Sequence, residues 1–305
     1  MSGAALAHLL VRGVAIAMLP ALFLDADVAT ARVDGQARER VLYASAFDDK
    51  HQPVPNLGPD AFVVREDGTR REVLRVAPAT TPQSVAIIID NSQAVAPAIA
   101  DLRKALITFL TTIDGIGPVA ISTVADRPTS VEDYTTNQKS LSDAANRLFH
   151  VPSSGATLLD GIAEVAKGVG RRESDRAAIL VVATENTEFS NLRYQDVLKA
   201  LSDSGATMHA IVLVNPAGSF LTDEARNRAT VLDRGPRESG GLRMDVLTSM
   251  SFEPRLKDLG GILKNQYRVV YARPESLIPP EKVEVSSGKP GLEVRGTPAR
   301  GQATQ

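Results

Sequence analysis

Apolar residues along this chain change period from one stretch to the next, and each period predicts an element. The clearest run is Ser84-Val-Ala-Ile-Ile-Ile-Asp90-Asn-Ser-Gln-Ala94, in which the apolar residues Val85 to Ile89 stop abruptly at Asp90. A short, β-branched run bounded by polar residues is the pattern of a strand buried on both faces, as in a parallel sheet. Pro97 follows in a first helical turn, and Ile99, Leu102, Leu106, Phe109, Leu110 and Ile113 then recur at helical spacing. Asp90 and Ser92 therefore fall in a strand-to-helix turn at the carboxyl end of a strand, where open α/β sheets bind their ligands.

Strand and helix patterns alternate downstream. Val119–Val124, Ala177–Ala183, Thr207–Val214 and Leu242–Leu247 read as strands. Helical spacing is found in Leu141–Leu148, Thr157–Gly168, Tyr194–Leu201 and Pro254–Leu263, with Gly205 as a helix C-cap. This alternation predicts an α/β fold, a doubly wound and mostly parallel sheet with helices on both faces. Between Asn215 and Gly241 the pattern is polar and broken by Asn215-Pro216, Gly235-Pro236 and Gly240-Gly241. That stretch reads as a long surface loop on the rim shared with Asp90, holding a short helix near Asp223 to Val231; a lid or partner contact is the alternative reading.

Both flanks switch to a period of two. Val41, Tyr43, Ser45 and Phe47 alternate with their neighbours, and Ala61–Arg65 and Glu72–Val76 read as a hairpin closed by Glu66-Asp67-Gly68. On the other side, Tyr267–Tyr271, Lys282–Val285 and Leu292–Val294 are short strand patterns separated by prolines. Each flank is too small to hold a core alone, so the two are expected to pair into one smaller β-sandwich around the α/β segment.

Composition narrows the chemistry. Lys plus Arg number 34 against 36 Asp plus Glu, and no basic run stands out, so nucleic acid is not an expected partner. The absence of cysteine excludes disulfides, thiolate metal sites and cysteine nucleophiles. Near the N-terminus Arg12 precedes an apolar stretch, Gly13–Leu24, too short to span a bilayer. With the small residues Ala29-Thr30-Ala31 it reads as an export signal cleaved after Ala31, which would leave no membrane span and a periplasmic or secreted protein. A retained N-terminal helix or anchor is the other reading of the same stretch.

The ordered set Asp90-Asn-Ser92, Gly155-Ala-Thr157-Leu-Leu-Asp160-Gly and Val181-Val-Ala-Thr184-Glu185-Asn186 resembles a von Willebrand factor type A (VWA) domain. The flanking Asp60-Ala-Phe62-Val-Val-Arg-Glu66-Asp67-Gly68, Asn265-Gln266-Tyr267-Arg-Val-Val-Tyr271 and Gly291-Leu-Glu-Val-Arg295-Gly resemble bacterial exported proteins that carry such a domain inside a β-rich frame. The organisation implied is a signal over 1–31, β-sandwich parts over 32–82 and 267–297, a VWA-like domain over 83–266, and a disordered tail over 298–305.

The resemblance also implies a metal-ion-dependent adhesion site for Mg²⁺ or another divalent cation. Matched to the family pattern, the ligands are Asp90, Ser92, Thr157 and Glu185, with Asn91 and Asp160 behind them or capping helices. Ala94 stands where the family has a ligating Ser, and Glu185 where it has Asp, so the resemblance implies weakened metal binding. The same residues also read without a metal. Asp90 and Ser92 can cap the following helix, and Thr157-x-x-Asp160 has the spacing of a capping box. No Gly-x-Gly-x-x-Gly, phosphate loop or Gly-x-Ser-x-Gly occurs at the expected turns, and mid-strand His209 reads as a core residue, so an enzyme is not expected. The function implied is adhesion to, or binding of, a protein partner through the rim at Asp90. The alternative is a structural or assembly role for the β edges.

Overall fold

The computed structural model of the chain describes residues 37–214, 222–274 and 278–299. The expected export signal and the tail beyond 299 lie outside the described residues. Among the described residues no helix is long and apolar enough to cross a membrane.

The chain enters through β1 (Ala37–Phe47), β2 (Phe62–Glu66), β3 (Thr69–Arg71) and β4 (Val73–Pro78). It then alternates through β5 (Ser84–Ile89), α1 (Ile99–Thr112), β6 (Val119–Val124), β7 (Pro128–Thr135), α2 (Gln138–Asn146), α3 (Leu158–Gly170), β8 (Ala177–Thr184) and α4 (Tyr194–Ser204). The series continues with β9 (Thr207–Leu213), α5 (Asp223–Ser239), β10 (Arg243–Val246) and α6 (Phe252–Lys264), and the chain leaves through β11 (Tyr267–Pro274), β12 (Val283–Ser287) and β13 (Glu293–Pro298).

The central sheet has the order β10-β9-β8-β5-β6-β7, parallel throughout except for the edge strand β7, which runs antiparallel to β6. Every residue of β5 is buried, because helices cover both faces. Val85, Ile87 and Ile89 pack in one core with α1, α2 and α6, whereas Ala86 and Ile88 pack in the other with α3, α4 and α5. Each Val or Ile side chain so buried contributes about 1.5–3 kcal/mol relative to exposure. This is the doubly wound α/β sheet that the alternation predicts.

Two antiparallel sheets carry strands from both flanks. One has the order β13-β1-β11-β4 and the other β12-β2-β3. Leu42, Ala44, Phe62, Val64, Tyr267 and Val269 share one core, so the two sheets form a sandwich. Positive φ at Asp67 (47°) and Gly68 (80°) closes the β2–β3 hairpin with the turn chemistry its Asp-Gly dipeptide predicts. The return strand differs from expectation: it is the short β3, and Val73 onward crosses to pair with β11 in the other sheet.

A buried arginine ties the sandwich to the α/β layer. Arg176, just before β8, donates from Nε to Gln266 Oε1 (2.8 Å), from Nη1 to the Thr81 carbonyl (3.0 Å) and from Nη2 to the Leu263 carbonyl (2.7 Å). Gln266 in turn donates to Ser45 Oγ on β1 (3.0 Å). Desolvation lowers the Arg176 pKa to about 10, still well above neutrality.

Further segments differ from the sequence reading. Strand β7 was not expected; it is half-exposed and begins at a proline, so its apolar alternation is weak. The stretch read as a loop over 215–241 is mostly α5, which runs to Ser239 through Gly235-Pro236. Met208 on β9 packs closely against Gly235, where a Cβ would lie 2.7 Å from its Sδ. Order also extends past 297: β13 includes Pro298, and the Ala299 amide donates to the Val41 carbonyl (2.9 Å).

Candidate functional site at the carboxyl rim of the sheet

Strand β5 ends where its neighbour β8 is still paired, and the Asp90 amide donates to the Val182 carbonyl (2.9 Å). This fixes Asp90 at the rim with no exposed surface. Its Oδ1 accepts from the Ser92 amide (3.0 Å), an Asx-type turn that redirects the chain. Its Oδ2 accepts from the Thr184 amide (3.3 Å), Thr184 Oγ1 (3.2 Å), Asn186 Nδ2 (3.0 Å) and Arg228 Nη2 (3.1 Å). Asn186 uses its second amide hydrogen on Ser92 Oγ (2.5 Å).

Arg228 arrives from α5, whose first turn is capped by Thr222 Oγ1 on the Ala225 amide (3.1 Å). Arg228, Val231, Leu232 and Gly235 fall on one helical face and are buried together, which drives the guanidinium inward. Besides Asp90 it reaches Asn186 Oδ1 (3.0 Å), Glu188 Oε2 (2.9 Å) and the Thr184 carbonyl. Two buried carboxylates, Asp90 and Glu188, thus share one guanidinium whose side chain is 5% exposed. Burial raises the Glu188 pKa above its ordinary value, while the Arg228 charge acts in the opposite direction.

Glu188 and its neighbours also take over the capping of α3. Glu188 Oε1 accepts from the Leu159 amide (3.4 Å), and Ser190 Oγ accepts from the Asp160 amide (3.0 Å). The Thr157–Asp160 capping box is therefore not formed. Thr157 Oγ1 instead donates to the Ala125 carbonyl (3.0 Å), and the Asp160 carboxylate accepts from the amides of Asn191 and Leu192 (both 3.3 Å). Asn91 Nδ2 donates to the Phe149 carbonyl (3.1 Å), so Asn91 holds the loop before α3 against the rim. Glu185 is half-buried, with its amide on the Leu213 carbonyl (3.0 Å); the acid that shares Arg228 with Asp90 is Glu188.

A divalent ion at Asp90 would need about six oxygen ligands in near-octahedral order. Here N–H and O–H donors converge on Asp90 Oδ2, Ser92 Oγ accepts from Asn186, and a positive charge already lies against both carboxylates. Among the described residues no three acidic or histidine side chains converge as a metal-ligand group. As placed, this donor set fits a guanidinium and does not fit a hydrated divalent cation.

Large apolar side chains are exposed in several segments of the same rim. Phe149 (64% exposed) follows α2 beside Asn91, and Phe189 (59%) follows Glu188. The Phe189 ring lies on Gly155, where a Cβ would stand 1.9 Å from it. Leu247 (72%) and Met250 (74%) leave the carboxyl end of β10, and Ser249 Oγ between them donates to Asp101 Oδ2 on α1.

No family model matches the chain, and no curated protein matches it. Solved structures with a similar chain course include the conserved hypothetical protein BatB from Bacteroides thetaiotaomicron, 12% identical, covering 60% of this chain and 99% of that one with a TM-score of 0.45. An aerotolerance-related membrane protein from Bacteroides fragilis is 16% identical, covering 57% and 96%, TM-score 0.44. A von Willebrand factor type A protein from Catenulispora acidiphila is 10% identical, covering 86% and 74%, TM-score 0.47. The α/β layer is VWA-like. That statement rests on the strand order and on the Asp90-x-Ser92 turn at the end of β5.

The VWA-like rim contains residues that sequence reasoning missed. Asn186 stood in the matched motif without a role, and Glu188 and Arg228 were not singled out. The available signal was an arginine at the i−3 and i−4 positions to Val231 and Leu232. An arginine on an apolar helical face requires buried acceptors.

Proposed function

We propose that this chain is an exported protein-binding module that engages a protein partner through the loops at the carboxyl ends of the central sheet. The observation that carries this reading is that Phe149, Phe189, Leu247 and Met250, each more than half exposed, all lie in segments at this rim, beside Asn91, after Glu188 and after β10. Among the described residues, the other large exposed hydrophobic side chain is Ile278. Large apolar side chains exposed together on loops held by a rigid sheet are the usual anchors of protein interfaces. Export is supported by the charged, then apolar, then small-residue order of the first 31 residues.

The test is affinity capture from envelope extracts with the wild type and a Phe149→Ser/Phe189→Ser variant side by side. Both aromatic rings are more than half exposed, so the variant is expected to fold with wild-type circular dichroism and to lose its captured partner. Equal capture by a folded variant would refute docking on this rim. It would favour an assembly role for the β edges instead.

A further inference from the structure

We infer that Arg228 is a built-in cation: it fills the place beside Asp90 and Glu188 that a divalent ion would need, and its removal opens a cation site. The inference is independent of what docks on the rim.

The geometry supports this at several points. Arg228 Nη2 lies 3.1 Å from Asp90 and Nη1 lies 2.9 Å from Glu188, so one planar group bridges carboxylates that come from different loops. Asn186 completes the arrangement by accepting from Nη1 while donating to both Asp90 and Ser92. Arg228 is 4% exposed as a residue, and its Nε is buried without a hydrogen-bond partner. The contacts of the guanidinium are all made through Nη1 and Nη2, to two carboxylates, Asn186 Oδ1 and the Thr184 carbonyl, and the charge-assisted pair of contacts is the strongest of these. The tether is also firm. Arg228 lies in the second turn of α5, whose Val231 and Leu232 are buried against the sheet.

A divalent ion entering the wild-type site would have to displace the guanidinium into an apolar core or lift α5. With Arg228 shortened, Asp90 and Glu188 lose their counter-charge, and Ser92 and Thr184 hydroxyls remain beside Asp90 as oxygen ligands. Carboxylates and hydroxyls around a vacated cation position suit a hard divalent ion.

The experiment is Mn²⁺ titration of the full chain followed by electron paramagnetic resonance, where bound ion is lost from the free-ion signal. Wild type, Arg228→Ala and Arg228→Ala/Asp90→Asn are compared, with thermal unfolding in Mn²⁺ or chelator as a second readout. Wild type is expected to leave the free-ion signal unchanged. Arg228→Ala is expected to bind Mn²⁺ at least about tenfold more tightly, and its lowered melting temperature should recover in Mn²⁺. Adding Asp90→Asn in that background should abolish both effects. Stoichiometric Mn²⁺ binding by the wild type would overturn the inference without any variant. So would a folded Arg228→Ala protein with no gain in affinity. If Arg228→Ala does not fold, Arg228→Ser, which also vacates the position, replaces it and is held to the same outcomes.

Discussion

Asp90 ends a strand whose six residues are all buried, so its carboxylate cannot turn to water and must find its partners inside the protein. The Thr184, Asn186 and Arg228 donors satisfy that requirement. Asp90→Ala should therefore leave Arg228 partly uncompensated, with a loss of about 3–5 kcal/mol of stability by denaturant unfolding, the usual cost of breaking a buried pair. The position of Asp90 and Ser92 was legible because an apolar run stops at Asp90. Their partners were not, because charge pairing between distant loops leaves no local pattern.

Titration gives a second test at the same scale. His209 is fully buried in β9, its Nδ1 accepting from the Leu242 amide (3.2 Å), as the core reading of the sequence had it. Desolvation, helped by the Arg295 charge, lowers its pKa to about 3 from 6.5. The unfolded chain thus binds the proton first, and stability is lost as pH falls from 6.5 towards 3, by up to about 1.4 kcal/mol per pH unit. Glu188 works the other way. Its raised pKa makes the folded state bind the proton more tightly, so its contribution is full below the ordinary 4.5 and is lost as pH rises through the raised value. His209→Gln should flatten the acid limb of a stability–pH profile, and Glu188→Gln should flatten the fall above pH 4.5. A limb unchanged by its substitution contradicts the assignment.

Among elements, α5 separates what the sequence discloses from what it hides. Strongly apolar β5, β8 and β9 were readable from composition alone, since strands covered on both faces have little polar content. Helix α5 is polar on its outer face and carries Gly235-Pro236, a pair that normally marks a turn. Tertiary packing outweighs that local preference: Gly235 admits Met208, and Val231 and Leu232 join the core of α3 and α4. Gly235→Ala should accordingly destabilise the protein, despite alanine's better helix propensity, because the added methyl meets sulfur at 2.7 Å. Strand β7 was hidden for the opposite reason. An edge strand with one half-exposed face lacks the apolar run that identifies a central one.

Across the whole molecule, the two antiparallel sheets frame the α/β layer, and Arg176 links them through carbonyls of Thr81 and Leu263 and through Gln266. Arg176→Met removes these donors but keeps the apolar stem, and should lower stability by about 3 kcal/mol as buried acceptors lose their partners. Pairing of both flanks around the α/β segment was expected because neither flank is large enough to hold a core alone. The Arg176 tie was not expected, since its acceptors are mostly backbone carbonyls. The frame leaves the carboxyl rim clear at the opposite end of β5 and β8, where Phe149 and Phe189 are exposed and the Asp90–Glu188 pair already shares one internal cation, Arg228. Partner capture from envelope extracts, in chelator and in Mg²⁺, tests this account most directly. The account predicts equal capture in both, lost with Phe149→Ser/Phe189→Ser. Capture that needs Mg²⁺ and survives loss of the two aromatic rings would contradict it.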